Sequence, residues 1–365
     1  MPPGNDGRIE MRFSEIKDFY GGKRVFVTGH TGFKGAWLCK ILSMAGAEVY
    51  GYSLEPPSSP NAYTLMGIES LVHSVTADVR DFEKLNSCIE KVAPEYVFHL
   101  AAQPIVRESY KIPRETFETN IMGTVNLLES IRLHPGIKSV LNVTTDKVYE
   151  NKDVADYAFL EDDKLDGFDP YSNSKSCSEL VTHSYKNSFF HLPDFPRIST
   201  ARAGNVIGGG DFASDRIIPD CVRACKDERP VMIRNPYSTR PYQHVLEPLG
   251  IYLTVVMRQE MSPELAGYYN VGPDEEDCVT TGELADLFVK YWGGSAEWVN
   301  MAEKNAPHEA GFLKLDCAKL KWTFGWKPVW HIEDTVKNTV EWYKTWHQEG
   351  DLVKLTERQI YDFFE

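Results

Sequence analysis

The chain has 365 residues, 39 basic against 53 acidic side chains for a formal net charge of −14, and a hydrophobic share of 42%. That length is too great for one simple core and suits a large α/β unit with a second lobe. The acidity disfavours nucleic acid and anionic membrane as partners, yet leaves room for a local basic pocket around a phosphorylated ligand.

Residues 1–22 read as a leader, polar at first, with Met11 a candidate start. No apolar run reaches membrane-spanning length, and nothing before the first strand reads as a signal peptide. The seven cysteines are odd in number, scattered, and contain no Cys-x-x-Cys. They imply reduced thiols in a cytoplasmic setting, with no disulfide framework and no metal set.

Residues 24–28 are an apolar strand, and a glycine-rich turn then opens a helix over about 34–46. Gly29 permits the tight turn, Gly32 lets the backbone approach a phosphate, and Gly35 lets the helix pack on the strand. The helix N-terminus offers free N–H groups and a positive dipole end to a pyrophosphate. This turn, with His30, Thr31 and Phe33 between its glycines, is the candidate dinucleotide site.

Further strands are expected at 47–53, 72–75, 95–100, 139–143 and 198–203, alternating with helices at 82–92, 114–133 and 171–187. The crossovers suit parallel pairing, which predicts a doubly wound α/β sheet of the Rossmann type over 23–203, with one return near 243–260. Residues 204–242 and 261–365 read as a smaller substrate lobe with a late helix at about 331–348. Ligands of such sheets bind beyond the carboxyl ends of the strands. At the end of the second strand only Glu55 is available to hold adenosine ribose hydroxyls, and no arginine follows to hold a 2′-phosphate. NAD is therefore favoured over NADP, which Lys34 keeps open.

Tyr171 and Lys175 stand four apart at the start of a predicted helix, on one face. An ammonium beside a phenol lowers the phenol's pKa and equips it to take the proton of a sugar hydroxyl. Thr144, Thr145, Asp146 and Lys147 follow the fifth strand and point at the same cleft, supplying a hydroxyl, an acid and an amine. The plain alternatives are a helix-face pair and a capped turn with a surface salt bridge. Arg216, Arg240 and, more weakly, Arg234 are candidates for a diphosphate, which guanidinium pairs bidentately. Trp322, Trp326 and Trp330 read as core packing around Gly325.

The glycine turn, the Tyr171/Lys175 pair and the region of Asn120 resemble the extended short-chain dehydrogenase/reductase family over nearly the whole chain. Residues 28–35, 144–147, 239–248 and 308–316 resemble its nucleotide-sugar 4,6-dehydratases, in their CDP-glucose branch. Most sugar dehydratases are expected to carry Asp-Glu where this chain has Asp146-Lys147, so the C5 base stays open between a neutral Lys147 and a water.

The resemblance implies CDP-glucose as substrate and a three-step cycle on bound NAD: oxidation at C4 with Tyr171 as base, loss of water across C5 and C6 with Asp146 as acid, and return of the hydride to C6. Thr145 would polarise the 4-oxygen. The resemblance further implies that Asp78 and Val79 flank adenine and that Leu100, Ala101, Ala102, Asn120 and Thr144 line the cofactor path. Gln103, Asn205, His244 and Glu309 fall on the substrate side, the last two with no derivable role. A homodimer through helices 114–133 and 171–187 is implied as well. A 4-epimerase would share the fold but needs no acid to expel a C6 hydroxyl, and a silent NAD-binding protein has no reason to keep Tyr171 and Lys175.

Overall fold

The computed structural model describes residues 11–154, 156–301 and 312–365. Seven strands form one parallel sheet: β1 (Arg24–Thr28), β2 (Glu48–Ser53), β3 (His73–Thr76), β4 (Tyr96–His99), β5 (Ser139–Thr145), β6 (Arg197–Ala203) and β7 (Tyr268–Val271). Their spatial order is β7-β6-β5-β4-β1-β2-β3, the doubly wound arrangement expected from the sequence. The order reverses between β1 and β4, and in doubly wound sheets the ligand crevice lies at that reversal, beyond the strands' carboxyl ends.

The two-residue alternation of a strand builds two cores, one on each face of the sheet. Val25 and Val27 of β1 and Tyr96 and Phe98 of β4 enter one core, while Phe26 and Val97 enter the other. Each such fully buried side chain contributes about 1.5–3 kcal/mol relative to exposure.

Around the sheet run α1 (Phe13–Tyr20), α2 (Phe33–Met44), α3 (Phe82–Val92), α4 (Val106–Lys111), α5 (Pro113–Phe117), α6 (Gly123–Leu133) and α7 (Pro170–Ser188). The later helices are α8 (Ile217–Lys226), α9 (Leu246–Met261), α10 (Thr281–Trp292), α11 (Ile332–His347) and α12 (Leu352–Phe364). Helix α9 is buried along most of its length and lies against β5 and β6. Gln259 ties it there, its Nε2 donating to the Val140 and Arg197 carbonyls at 2.9 and 3.1 Å. No helix among the described residues is long and apolar enough to cross a membrane.

Several expectations need correction. The supposed leader 1–22 contains α1, whose Phe13, Ile16 and Tyr20 are buried and whose Tyr20 hydroxyl donates to the Leu253 carbonyl at 2.9 Å. The helix expected at 114–133 is interrupted by a π-helical turn, Glu118–Met122, between α5 and α6. Strand β5 runs through Thr145, so Thr144 and Thr145 belong to the strand rather than to the turn after it. Strand β7 and helix α12 were not foreseen. Trp326 is buried, but Trp322 is 90% exposed and is no part of a core.

Candidate active site

The turn after β1 is shaped by close backbone approach. A Cβ on Gly29 would lie 2.7 Å from the Ala101 nitrogen, and one on Gly35 would lie 2.1 Å from the Gly29 carbonyl. Only hydrogen fits at either place. Gly32 is the N-cap of α2 and no side chain caps the helix, so its first-turn N–H groups face the crevice without a side-chain acceptor. Thr28 Oγ1 accepts from the Leu100 and Ala101 nitrogens at 3.2 Å each, which locks the end of β4 onto β1.

Thr31 fastens the turn to the end of β2, its Oγ1 3.0 Å or less from Ser53 Oγ (2.8 Å) and from the Leu54 carbonyl (2.9 Å). Phe33 reaches across to the lobe, its ring 3.2 Å from where a Cβ on Gly208 would stand. His30 differs from the expectation: its ring is fully buried beneath the turn, 2.7 Å from Ser74 Oγ and edge-on to Tyr63. Burial lowers its pKa to about 4, so it is a neutral core residue there.

Glu55 stands exposed just past β2. The Asp78 carboxylate is held by the Arg80 guanidinium at 2.6–3.1 Å, which lowers its pKa. Val79 is buried against Gly123. Asn120 sits in the π-helical turn, and its extra residue aims the side chain inward. There Asn120 accepts from the Gln103 nitrogen at 2.8 Å and donates to Ser174 Oγ at 2.8 Å, clamping the loop after β4 to α7. The Gln103 side chain itself is engaged within that loop, by Ile105 and Thr116. It braces the loop, where a substrate contact had been expected.

Helix α7 starts where Asp169 caps it, accepting from the Ser172 nitrogen at 3.0 Å, with Pro170 at its first position. This start places Tyr171, itself buried, against Thr145 at the end of β5. Burial pushes its phenol up to about 12, while a hydrogen bond with Thr145 pulls the other way. Lys175 is 4% exposed and its Nζ donates to the Val143 carbonyl at 3.0 Å. Burial lowers it to about 8, and the Glu179 charge opposes that fall. The depressed phenol pKa read from the spacing is thus absent from this state: burial outweighs the Thr145 hydrogen bond and the Arg216 charge.

Asp146 is fully buried. Its Oδ1 accepts from Thr145 Oγ1 and Lys147 Nζ at 3.0 Å each, and its Oδ2 has no partner among the described residues. Lys147 Nζ also donates to Asn205 Oδ1 at 3.2 Å, which joins the end of β5 to the segment after β6. Thr144 turns away from the crevice and donates to Glu179.

Arg216 donates to Asp211 at 2.8 Å and Arg234 to Asp215 at 2.9 Å, so each guanidinium already holds a carboxylate. Arg240 is buried in a short strand, Thr239–Pro241, paired with Cys278–Thr280. His244 is completely buried, edge-on to Trp37 and Trp330 with centroids at 5.8 and 4.7 Å. Burial drops its pKa to about 3, and its ring packs against Trp37 of α2. Glu309 lies outside the described residues.

Three further charged residues stand close by. Lys34 keeps part of its surface open, yet burial and the Arg216 charge depress it to about 7, Asp146 opposing them. Glu179 and Arg202, 1% and 3% exposed, form a buried ion pair at 2.9 Å behind Lys175. The spacing of Glu179, four residues past Lys175, is the signal that could have found it.

The sequence model for GDP-mannose 4,6 dehydratase matches residues 26–339. The CDP-glucose 4,6-dehydratase of Salmonella typhimurium is 46% identical over 95% of this chain and 98% of its own length. A probable dTDP-glucose 4,6-dehydratase of Sinorhizobium fredii is 26% identical over 88% and 92%. Among solved structures, dTDP-glucose 4,6-dehydratase of Bacillus anthracis in complex with NAD superposes with a TM-score of 0.74 at 22% identity, over 91% of this chain and 100% of that one. UDP-glucose 4-epimerase of Thermotoga maritima with UDP-glucose gives 0.76 at 23% identity, over 88% and 99%. Both structures share the fold seen here. Matched over most of its length by the family's sequence model, the chain belongs to the GDP-mannose 4,6-dehydratase family.

Proposed function

We propose that the protein is a CDP-glucose 4,6-dehydratase, a hydro-lyase of deoxysugar biosynthesis that converts CDP-glucose to CDP-4-keto-6-deoxyglucose and water. The observation that carries this is the 46% identity to the Salmonella enzyme over nearly the full length of both chains.

The crevice fits NAD, through the uncapped N-terminus of α2 and the space that only hydrogen can occupy at Gly29 and Gly35. The 29–35 turn, Leu100, Ala101, Ala102 and the Asn120 clamp would hold it, with Asp78 and Val79 beside the adenine end. When bound, NAD supplies the acceptor, and later the donor, of the hydride.

Tyr171 Oη takes the proton of the C4 hydroxyl, with Thr145 bonded to the phenol and Lys175 one helical turn on, its ammonium on the Val143 carbonyl. A ketone at C4 acidifies the proton at C5. Moving one proton along the 3.0 Å contact from Lys147 to Asp146 turns their ion pair into a free amine and a carboxylic acid. Lys147 Nζ then takes the C5 proton while Asp146 protonates the C6 hydroxyl as it departs as water, and the ion pair is restored. Asn205 orients Lys147. Arg216, Arg240 and Arg234 face the diphosphate, Asp211 and Asp215 yielding the first and last of them. The protein works in the cytoplasm as a homodimer.

The test is mass spectrometry after incubation with NAD and, separately, CDP-, dTDP-, GDP- and UDP-glucose. Loss of one water from CDP-glucose alone is expected. Loss from another nucleotide would overturn the substrate, and conversion to a galactose nucleotide without mass change would overturn the dehydratase.

A further inference from the structure

Tyr171, Lys175 and Glu179 recur every fourth residue along α7, which lays three side chains along one stripe of the helix. Tyr171 meets the Thr145 hydroxyl and Lys175 the Val143 carbonyl, both on β5. The third points into the protein between β5 and β6 and is 1% exposed.

Both oxygens of Glu179 are claimed. Thr144 donates to Oε1, while Thr200 Oγ1 and Arg202 Nη2 donate to Oε2 at 2.8 and 2.9 Å. Arg202 in turn donates through Nη1 to the Tyr149 hydroxyl at 2.9 Å and the Glu161 carbonyl at 2.8 Å. A buried ion pair of this kind is costly to desolvate, and packed apolar residues would usually serve stability as well or better. The carboxylate is thus better explained by what it does for a neighbour. It is immobilised by Thr144, which directly follows Val143, the residue whose carbonyl receives Lys175 Nζ at 3.0 Å.

We propose that Glu179 is a positioning residue for the reaction: its pinned negative charge, one helical turn beyond Lys175, keeps that lysine protonated on the Val143 carbonyl and so keeps a cation behind the Tyr171 phenol. The inference rests on the reading of Tyr171 and Lys175 as the base and its partner.

The surroundings leave this task to Glu179. Lys175 shares α7 with Tyr171 and Glu179. Lys34 approaches from α2, and Asp146 and Lys147 stand at the end of β5. His99 on β4 is held neutral by burial and by the charge of Lys175 itself. Arg202 on β6 is turned onto Glu179. Asp146 is bonded to Lys147 and Glu179 to Arg202, but Glu179 stands one helical turn from Lys175 and its charge is the one that holds the lysine up. Burial would otherwise strip the proton from Lys175 as the pH rises.

The test is the pH profile of kcat for CDP-glucose at saturating NAD, in the native enzyme and in Glu179→Gln. Deprotonation of Lys175 sets the alkaline limb, and the substitution is expected to move that limb down by about one unit. Glu179→Asp is expected to restore it in large part. An alkaline limb that stays in place while activity merely falls in amplitude would overturn the proposal, because a packing role changes the height of the profile and not its position. Should Glu179→Gln fail to fold, the double variant Glu179→Gln/Arg202→Met removes both buried charges together and is expected to move the limb down by less, because the Arg202 cation leaves with the carboxylate; a limb that moves up there would overturn the proposal. Tyr171→Phe with undiminished turnover would sink the base assignment and this inference with it, whereas an inactive Tyr171→Phe beside an unmoved limb sinks the role of Glu179 alone.

Discussion

Asp146 shows how one side chain divides its two oxygens between structure and chemistry. Oδ1 is bonded twice, to Thr145 and Lys147, while Oδ2 is buried with no partner among the described residues. An orphaned carboxylate oxygen is costly unless something arrives to meet it. On the proposed mechanism, Asp146→Asn keeps the shape and removes the proton donor. Water loss is expected to fall by about 10²–10⁴-fold, while reduction of NAD by CDP-glucose, followed by nicotinamide absorbance in a single turnover, persists. Loss of both steps together would contradict the division of labour between Asp146 and Tyr171. His244 is the opposite case. Wedged between Trp37 and Trp330, it is expected to cost about 2–4 kcal/mol of stability when cut to Ala, with the KM for CDP-glucose unchanged in the folded enzyme. That Tyr171, Lys175 and Asp146 gather at the end of β5 was legible in residue type and spacing. His30 and His244 were not, because a histidine in a motif looks the same whether its ring faces a ligand or a core.

At the scale of elements, the strands β1 to β6 and the helices between them were legible because their alternation is regular and their apolar runs are bounded by turns. What escaped had a physical reason. β7 is four residues long and arrives after an irregular stretch, and only its pairing with β6 makes it part of the sheet. The π-helical turn at Glu118–Met122 hardly disturbs the apolar period, so a sequence reads through it. The short α1 follows a polar stretch that draws attention from its buried face. The start of α11 carries a testable load. Glu247 on α9 accepts from the Val329 and Trp330 nitrogens at 2.8 and 2.7 Å, and burial, opposed by those bonds, raises its pKa from 4.5 to about 8. A folded-state pKa above the unfolded one means the native state binds more protons in that interval. Stability is therefore expected to decline as pH rises from about 4.5 to about 8, and Glu247→Gln to flatten that slope in thermal melts. A native slope unchanged by the substitution would refute the assignment.

At the scale of the whole molecule, ion pairs tie the segment before α8 to α4. Asp215, in the segment before α8, is 3.8 Å from Arg107 on α4 and 2.9 Å from Arg234 after Val231–Ile233. The same scale poses the question of assembly. Helices α6 and α7 pack side by side, and along them Met122, Leu133 and Leu180 remain 44–54% exposed. In an isologous dimer each of these positions is used twice, so a single substitution places two changes in one interface. The native chain is expected to sediment as a dimer at micromolar concentration. Leu180→Glu would bury two unpaired carboxylates there, each carrying a desolvation penalty of several kcal/mol, and is expected to sediment as a monomer with an unchanged circular dichroism spectrum. A native monomer at every concentration, or a Leu180→Glu dimer as tight as the native one, would remove these helices as the interface. Because α7 also carries Tyr171 and Lys175, the monomeric variant has a second expected consequence: a helix no longer braced from outside holds its catalytic face less firmly, and kcat should fall while the fold stays intact.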